Sequence, residues 1–227
     1  RTYDEITSGI LNLDITDNHP GNVKNKGIYF NAVDNGAGFS PFESSVINIS
    51  DNTIDNMVTT TLTNSAIYLR GHLEDSTVTI ENNNIVHSDA YGIHLDITPT
   101  LSGTYNDYHI NNNLIEEVTG LGIYVKGDEG DNNITNNTEI KNNTIKIIKP
   151  FGSLADAIYV DNKYYVNQTS IIGNKIINAD GRGIYVKGGA INDSFIIVVE
   201  NEIENTADNG IEVGFSKPLT ENFYKVA

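Results

Sequence analysis

Gly183-Ile184-Tyr185-Val186-Lys187 sets a small residue before an apolar one, then alternates polar and apolar positions. That period of two belongs to a short strand with one face buried. The phrase returns as Gly27-Ile28-Tyr29-Phe30, Ala66-Ile67-Tyr68-Leu69-Arg70, Gly92-Ile93-His94-Leu95-Asp96 and Gly122-Ile123-Tyr124-Val125-Lys126. It returns again as Ala157-Ile158-Tyr159-Val160-Asp161 and Gly210-Ile211-Glu212-Val213. Strands of one design recurring along a chain are the mark of a repeat architecture.

A second phrase precedes each strand: apolar, two residues, Asn, one residue, apolar. It reads Ile49/Asn52/Ile54, Ile80/Asn83/Ile85, Ile110/Asn113/Ile115, Ile140/Asn143/Ile145, Ile171/Asn174/Ile176 and Val198/Asn201/Ile203. Ile15/Asn18 is a partial first copy, broken by Pro20. These anchors follow one another at intervals of 31, 30, 30, 31 and 27 residues. From anchor to the next Ile of the Gly-Ile-Tyr phrase the step is 13 residues, except from Ile49 to Ile67 and from Ile140 to Ile158, where it is 18.

Phrases recurring in fixed phase predict a parallel β-solenoid of about seven coils. Each Ile and Val points inward and stacks on its equivalent one coil away, ~4.8 Å along the axis. The Asn is expected at a sharp turn, where it tolerates a left-handed backbone and its amide bonds to the Asn above and below. Gly or Ala before each Ile keeps the corner narrow. The absence of a heptad excludes a coiled coil, and a β-sandwich gives no reason for constant phase.

The Asn-turn phrase followed by Gly-Ile-Tyr-Val resembles the repeats of right-handed parallel β-helix proteins, the pectate-lyase-like superfamily, over about residues 9 to 215. The resemblance implies an all-β, single-stranded solenoid. The superfamily spans polysaccharide lyases, glycosidases, epimerases, tailspikes, adhesins and non-catalytic sugar-binding surface proteins, so the fold does not choose a function. It also implies that a sugar groove lies on the outer face of the sheet built by the Gly-Ile-Tyr strands.

Composition narrows the partners. The 227 residues carry 14 Lys and Arg against 30 Asp and Glu, a formal charge of −16. Nucleic acid needs a basic face and is not expected as a partner. There is no cysteine, hence no disulfide framework and no thiolate metal site. No apolar run approaches the roughly 20 residues that cross a bilayer, so membrane insertion is not expected. The chain starts at Arg1 and reads as one β-helix domain over residues 1–227, a piece of a longer protein with flanking domains. Residues 216–227 would cap the last coil or begin another. Longer insertions at Asn31 to Ser45, Asp96 to Asp107, Lys126 to Asn137, 55–65 and 146–156 interrupt the minimal coil.

If the Ile and Val of the Gly-Ile-Tyr strand point inward, the residues between them point out. Down the axis the first outward position reads Tyr29, Tyr68, His94, Tyr124, Tyr159, Tyr185 and Glu212. The next reads Asn31, Arg70, Asp96, Lys126, Asp161, Lys187 and Gly214. An exposed aromatic row would give sugar rings a stacking surface, and the charged column would bond their hydroxyls. A purely structural role is the alternative, because tyrosines favour strands, neighbouring rings stack, and alternating charges pair across rungs for about 0–1 kcal/mol each.

The expected role is non-catalytic binding of a polysaccharide or surface glycan by a secreted or cell-surface, adhesin-like protein. A lyase or uronate epimerase is the second reading, with Arg70 and Lys126 neutralising a sugar carboxylate, His94 as base near Asp96 and Tyr124 as donor. A glycosidase using Asp96 and Asp161, two rungs apart, fits the carboxylate spacing only loosely. An architectural spacer in an adhesin or fibre is the third. His19, His72, His87 and His109 are scattered, and no metal site is expected from them. Asp128, Glu129 and Asp131 could hold Ca²⁺, yet lack the spacing of a recognisable calcium loop; no other cofactor is suggested.

Overall fold

Strand periodicity of two and a coil of about 30 residues together build three long parallel sheets around one apolar interior, with a short two-stranded one, Phe42–Glu43 beside Leu73–Glu74, at a corner. The computed structural model describes residues 10–32, 42–59, 61, 64–98, 104–126, 135–162, 167–188, 195–215 and 223–226. The first sheet has eight strands, in the order Asn12–Thr16, Val46–Ser50, Thr77–Glu81, Tyr105–Asn111, Thr135–Lys141, Asn167–Ile172, Phe195–Val199 and Phe223–Val226. The second has seven: Ile28–Ala32, Ser65–Gly71, Tyr91–Ile97, Ile123–Lys126, Ile158–Asn162, Ile184–Gly188 and Ile211–Phe215. The third has six, running from Thr53–Ile54 to Glu202–Ile203. Neighbours in each sheet are consecutive coils, which defines a solenoid.

Among the described residues six coils therefore carry all three strands, one fewer than the seven expected. The first coil has strands in two sheets, while its third side is reduced to single bridges, Gly21 to Asp55 and Lys24 to Val58. Pro20 explains this, since it has no N–H for the ladder; only its carbonyl takes part, accepting from the Asp55 N–H at 3.2 Å. At the other end Phe223–Val226 pairs with Phe195–Val199 as a further rung of the first sheet.

The interior is columns of like residues. Ile49, Ile80, Ile110, Ile140 and Ile171 pair in register in the first sheet. Ile67, Ile93, Ile123, Ile158 and Ile184 do so in the second, and Ile54, Ile85, Ile115, Ile145 and Ile176 in the third. All of these are fully buried, each contributing roughly 1.5–3 kcal/mol by leaving water.

The turn between the first and third sheets holds the asparagine ladder. Nδ2 of Asn18, Asn52, Asn83, Asn113, Asn143 and Asn174 donates in turn to Oδ1 of the next Asn at 2.9–3.0 Å. The same Oδ1 accepts the preceding asparagine's backbone N–H. The left-handed backbone sits one residue earlier than expected. Asp17, Asp51, Asn82, Asn112, Asn142, Gly173 and Glu200 have φ between 53° and 67°. The ladder Asn is thus selected for its amide, and its neighbour bears the strain of the turn.

A second, mixed ladder runs before the first sheet. The Ser45 N–H donates to Ser76 Oγ at 3.0 Å, the Ser76 N–H to Asn106 Oδ1 at 3.1 Å, and Asn106 Nδ2 to Asn136 Oδ1 at 3.4 Å.

The narrow corner has a specific cause. A Cβ on Gly122 would stand 2.4 Å from the Ala157 carbonyl oxygen, and on Gly92 or Gly183 2.5 Å from that of Gly122 or Gly210. Ala66 and Ala157 occupy this position only in the two coils with the 18-residue approach. Gly122→Ala is expected to destabilise by about 1–3 kcal/mol through forced backbone displacement. Chemical denaturation should show this as a lower midpoint at unchanged slope.

Candidate functional site: the outer face of the second sheet

Strand alternation places Tyr29, Tyr68, His94, Tyr124, Tyr159 and Tyr185 in one in-register column on the second sheet. Parallel strands repeat the same side-chain direction at each rung, so the rings lie over one another. Centroids are 5.5, 4.6, 4.7, 5.1 and 5.0 Å apart in that order, with interplanar angles of 14–25°. The ring faces are consequently spent on each other. Tyr29 is 46% exposed, but Tyr68 and His94 are 6% exposed, and the other three are half-buried. The flat exposed row expected from the sequence is instead a stack whose ring faces are turned to one another.

Cations close the stack at both ends. Lys26 Nζ lies 3.8 Å from the Tyr29 centroid, and the Arg182 guanidinium carbon 3.5 Å from that of Tyr185. Arg182 is fixed by a two-bond pair with Asp156, at 3.0 and 2.8 Å, and reaches Glu212 at 3.4 Å. Tyr91 meets His94 and Tyr124 edge-on, at 5.4 and 5.9 Å. Lys26, Tyr91, Asp156 and Arg182 escaped the sequence reading, although the signal was present. Each directly precedes the small residue of its phrase, as in Lys26-Gly27-Ile28-Tyr29 and Arg182-Gly183-Ile184-Tyr185.

Asn31, Arg70, Asp96, Lys126, Asp161 and Lys187 form the adjoining column, also in register. Asp96 pairs with Lys126 at 2.9 Å and with Arg70 at 3.8 Å, and Asp161 pairs with Lys187 at 3.8 Å. The Tyr68 hydroxyl donates to Asp96 and the Tyr159 hydroxyl to Asp161, both at 3.2 Å. Burial, then the neighbouring aspartate charge, pushes both phenols well above their ordinary range, so they remain donors at neutral pH. Burial works most strongly against the Asp96 charge, but the bond to Lys126, its positive charge and the Tyr68 hydroxyl together outweigh it and hold the carboxyl below the usual range.

His94 is the centre of the stack. Neither ring nitrogen has a hydrogen-bond partner or contact with solvent, and burial lowers its pKa to about 4. The imidazole is therefore neutral at physiological pH and shut in between Tyr68 and Tyr124. A base in that position does not reach a bound sugar unless the stack opens.

The other histidines stay apart. His87 contacts Asp89 at 3.0 Å and Glu117 at 3.4 Å, His109 faces Glu139, and His19 lies near Asp17. Among the described residues no group of three or more His, Cys, Asp or Glu is arranged to hold a metal ion. Asp128, Glu129 and Asp131 lie outside the described residues.

Parallel coils with an asparagine ladder and an outward aromatic column define a β-helix protein. The model of the right-handed β-helix region matches residues 35–224, and the chain belongs to that family. No curated protein and no solved structure matches it.

Proposed function

We propose that the outer face of the second sheet binds a linear glycan without turning it over, in a protein that acts outside the cell or on its surface. The supporting observation is the in-register strip from Tyr29 to Tyr185, six rungs long and flanked by charged side chains. At ~4.8 Å per rung the strip extends roughly 24 Å. A surface that repeats itself at equal steps suits a ligand that does the same. Contact is through ring edges and phenol hydroxyls, with Arg70, Lys126 and Lys187 bonding sugar oxygens, rather than through ring faces.

The enclosure of His94 favours binding over the lyase or epimerase chemistry that would use it as base. The architectural reading draws on the same interactions, because the stack and the ion pairs also tie neighbouring coils together.

Affinity electrophoresis against neutral and acidic linear polysaccharides, with product formation followed in parallel, separates these readings. Wild-type protein is expected to be retarded by at least one polymer without product. Tyr124→Ala/Tyr159→Ala should weaken that binding by about ten-fold or more, with the fold retained because both rings lie outside the core. Unchanged retardation of the double variant overturns the site. No retardation by any polymer supports the spacer, and product lost in His94→Ala supports the enzyme.

A further inference from the structure

The charged column alternates in sign along the chain, and its exposure alternates with the sign, so that the two charges are not equally presented to solvent. The side chains of Asp96 and Asp161 are only 14% and 8% exposed, whereas Arg70, Lys126 and Lys187 are 51%, 36% and 38% exposed. Side-chain length accounts for this. The short carboxylates lie against the sheet, held by the Tyr68 and Tyr159 hydroxyls, and the longer cations fold over them into solvent. The column is not closed on itself either, for the buried Oδ1 of Asp161 has no hydrogen-bond partner.

Solvent therefore meets cations at every second rung, ~9.6 Å apart by the strand spacing, with Lys26 adding positive charge at the Tyr29 end. The rest of the molecule is strongly negative, given a formal charge of −16 overall. That background repels a densely charged polyanion, while the row attracts one whose charges fall in step with it. One rung is close to the length of one pyranose in an extended chain, so two rungs correspond to one disaccharide.

We propose that the ligand is a linear glycan with an alternating disaccharide repeat and one anionic group per disaccharide. It lies along the axis with successive anions over Arg70, Lys126 and Lys187, and with neutral sugars over the rungs of Asp96 and Asp161. This rests on the glycan-binding reading and gives it a substrate class.

The test compares hyaluronan, with one carboxylate per disaccharide, polygalacturonate, with one on every sugar, and a neutral β-1,4-glucan. Titration calorimetry on the full chain is run at low and raised salt, for wild type and Lys126→Gln. Hyaluronan is expected to bind most tightly, to weaken as salt screens the cations, and to lose roughly ten-fold in Lys126→Gln. Polygalacturonate binding as tightly as hyaluronan overturns the charge-spacing proposal. So does hyaluronan binding that is indifferent to Lys126→Gln. Neutral-glucan binding that exceeds hyaluronan binding overturns the charge proposal while sparing the glycan site, whereas no binding to any of the three overturns both.

Discussion

Replacing Asn113 with Ala is expected to cost about 3–5 kcal/mol and to unfold a substantial fraction of the protein under mild denaturant. Asn113 is 1% exposed at the middle of the ladder. Its Oδ1 accepts both the Asn83 backbone N–H and Asn83 Nδ2, each at 3.0 Å. Its Nδ2 donates to the Ile80 carbonyl at 2.9 Å and to Asn143 Oδ1 at 3.0 Å. Truncation strands a buried N–H with no water to replace its acceptor, and leaves a void between two rungs. Asn113→Asp keeps the acceptor but loses the donor and adds a buried charge, so it should be no milder. Urea unfolding measures both; a loss under about 1 kcal/mol would show that the ladder is not a principal source of stability.

Acidification gives the second large effect, through His94. Its pKa is about 4 in the folded protein against 6.5 for an ordinary imidazole. Between those values the unfolded chain binds the proton and the folded one does not, so stability falls as pH falls. It is complete above about pH 6.5 and is lost progressively down to about pH 4, by about 3 kcal/mol from this group. His94→Phe keeps a ring in the stack and removes the proton site. Its stability curve should be flatter than wild type across that window, with the two converging near pH 7 apart from a constant offset. Parallel curves would mean that His94 contributes nothing to acid sensitivity.

The coil was legible because its constraints repeat the same letters. Every turn needs an inward Ile and a ladder amide, so Ile49, Asn52 and Ile54 reappear as Ile80, Asn83 and Ile85. The second ladder was not legible, because Ser45, Ser76, Asn106 and Asn136 meet one need with two residue types. The left-handed turn was assigned to the ladder Asn since its true bearer varies among Asp, Asn, Gly and Glu, and Glu200 gives no turn signal. At the candidate site, strand alternation showed which side each tyrosine takes. It allowed neighbouring rings to stack but carried no information on ring tilt, which packing between rungs decides, and so it could not choose between stacked rings and an open row of ring faces. The number of complete coils turned on Pro20, whose effect is on one missing donor rather than on any recurring letter.

The decoupling of loop length from register also bears on how such a chain can change. Two coils take five extra residues before the Gly-Ile-Tyr strand, yet Ile67 still pairs with Ile93 and Ile158 with Ile123. Each rung recognises its neighbours through the ladder and the apolar columns, and the connecting segment has no vote in the alignment. Gly152 and Ser153, exposed on one such segment, mark a place where foreign sequence can be grafted for display while the frame beneath keeps its pitch.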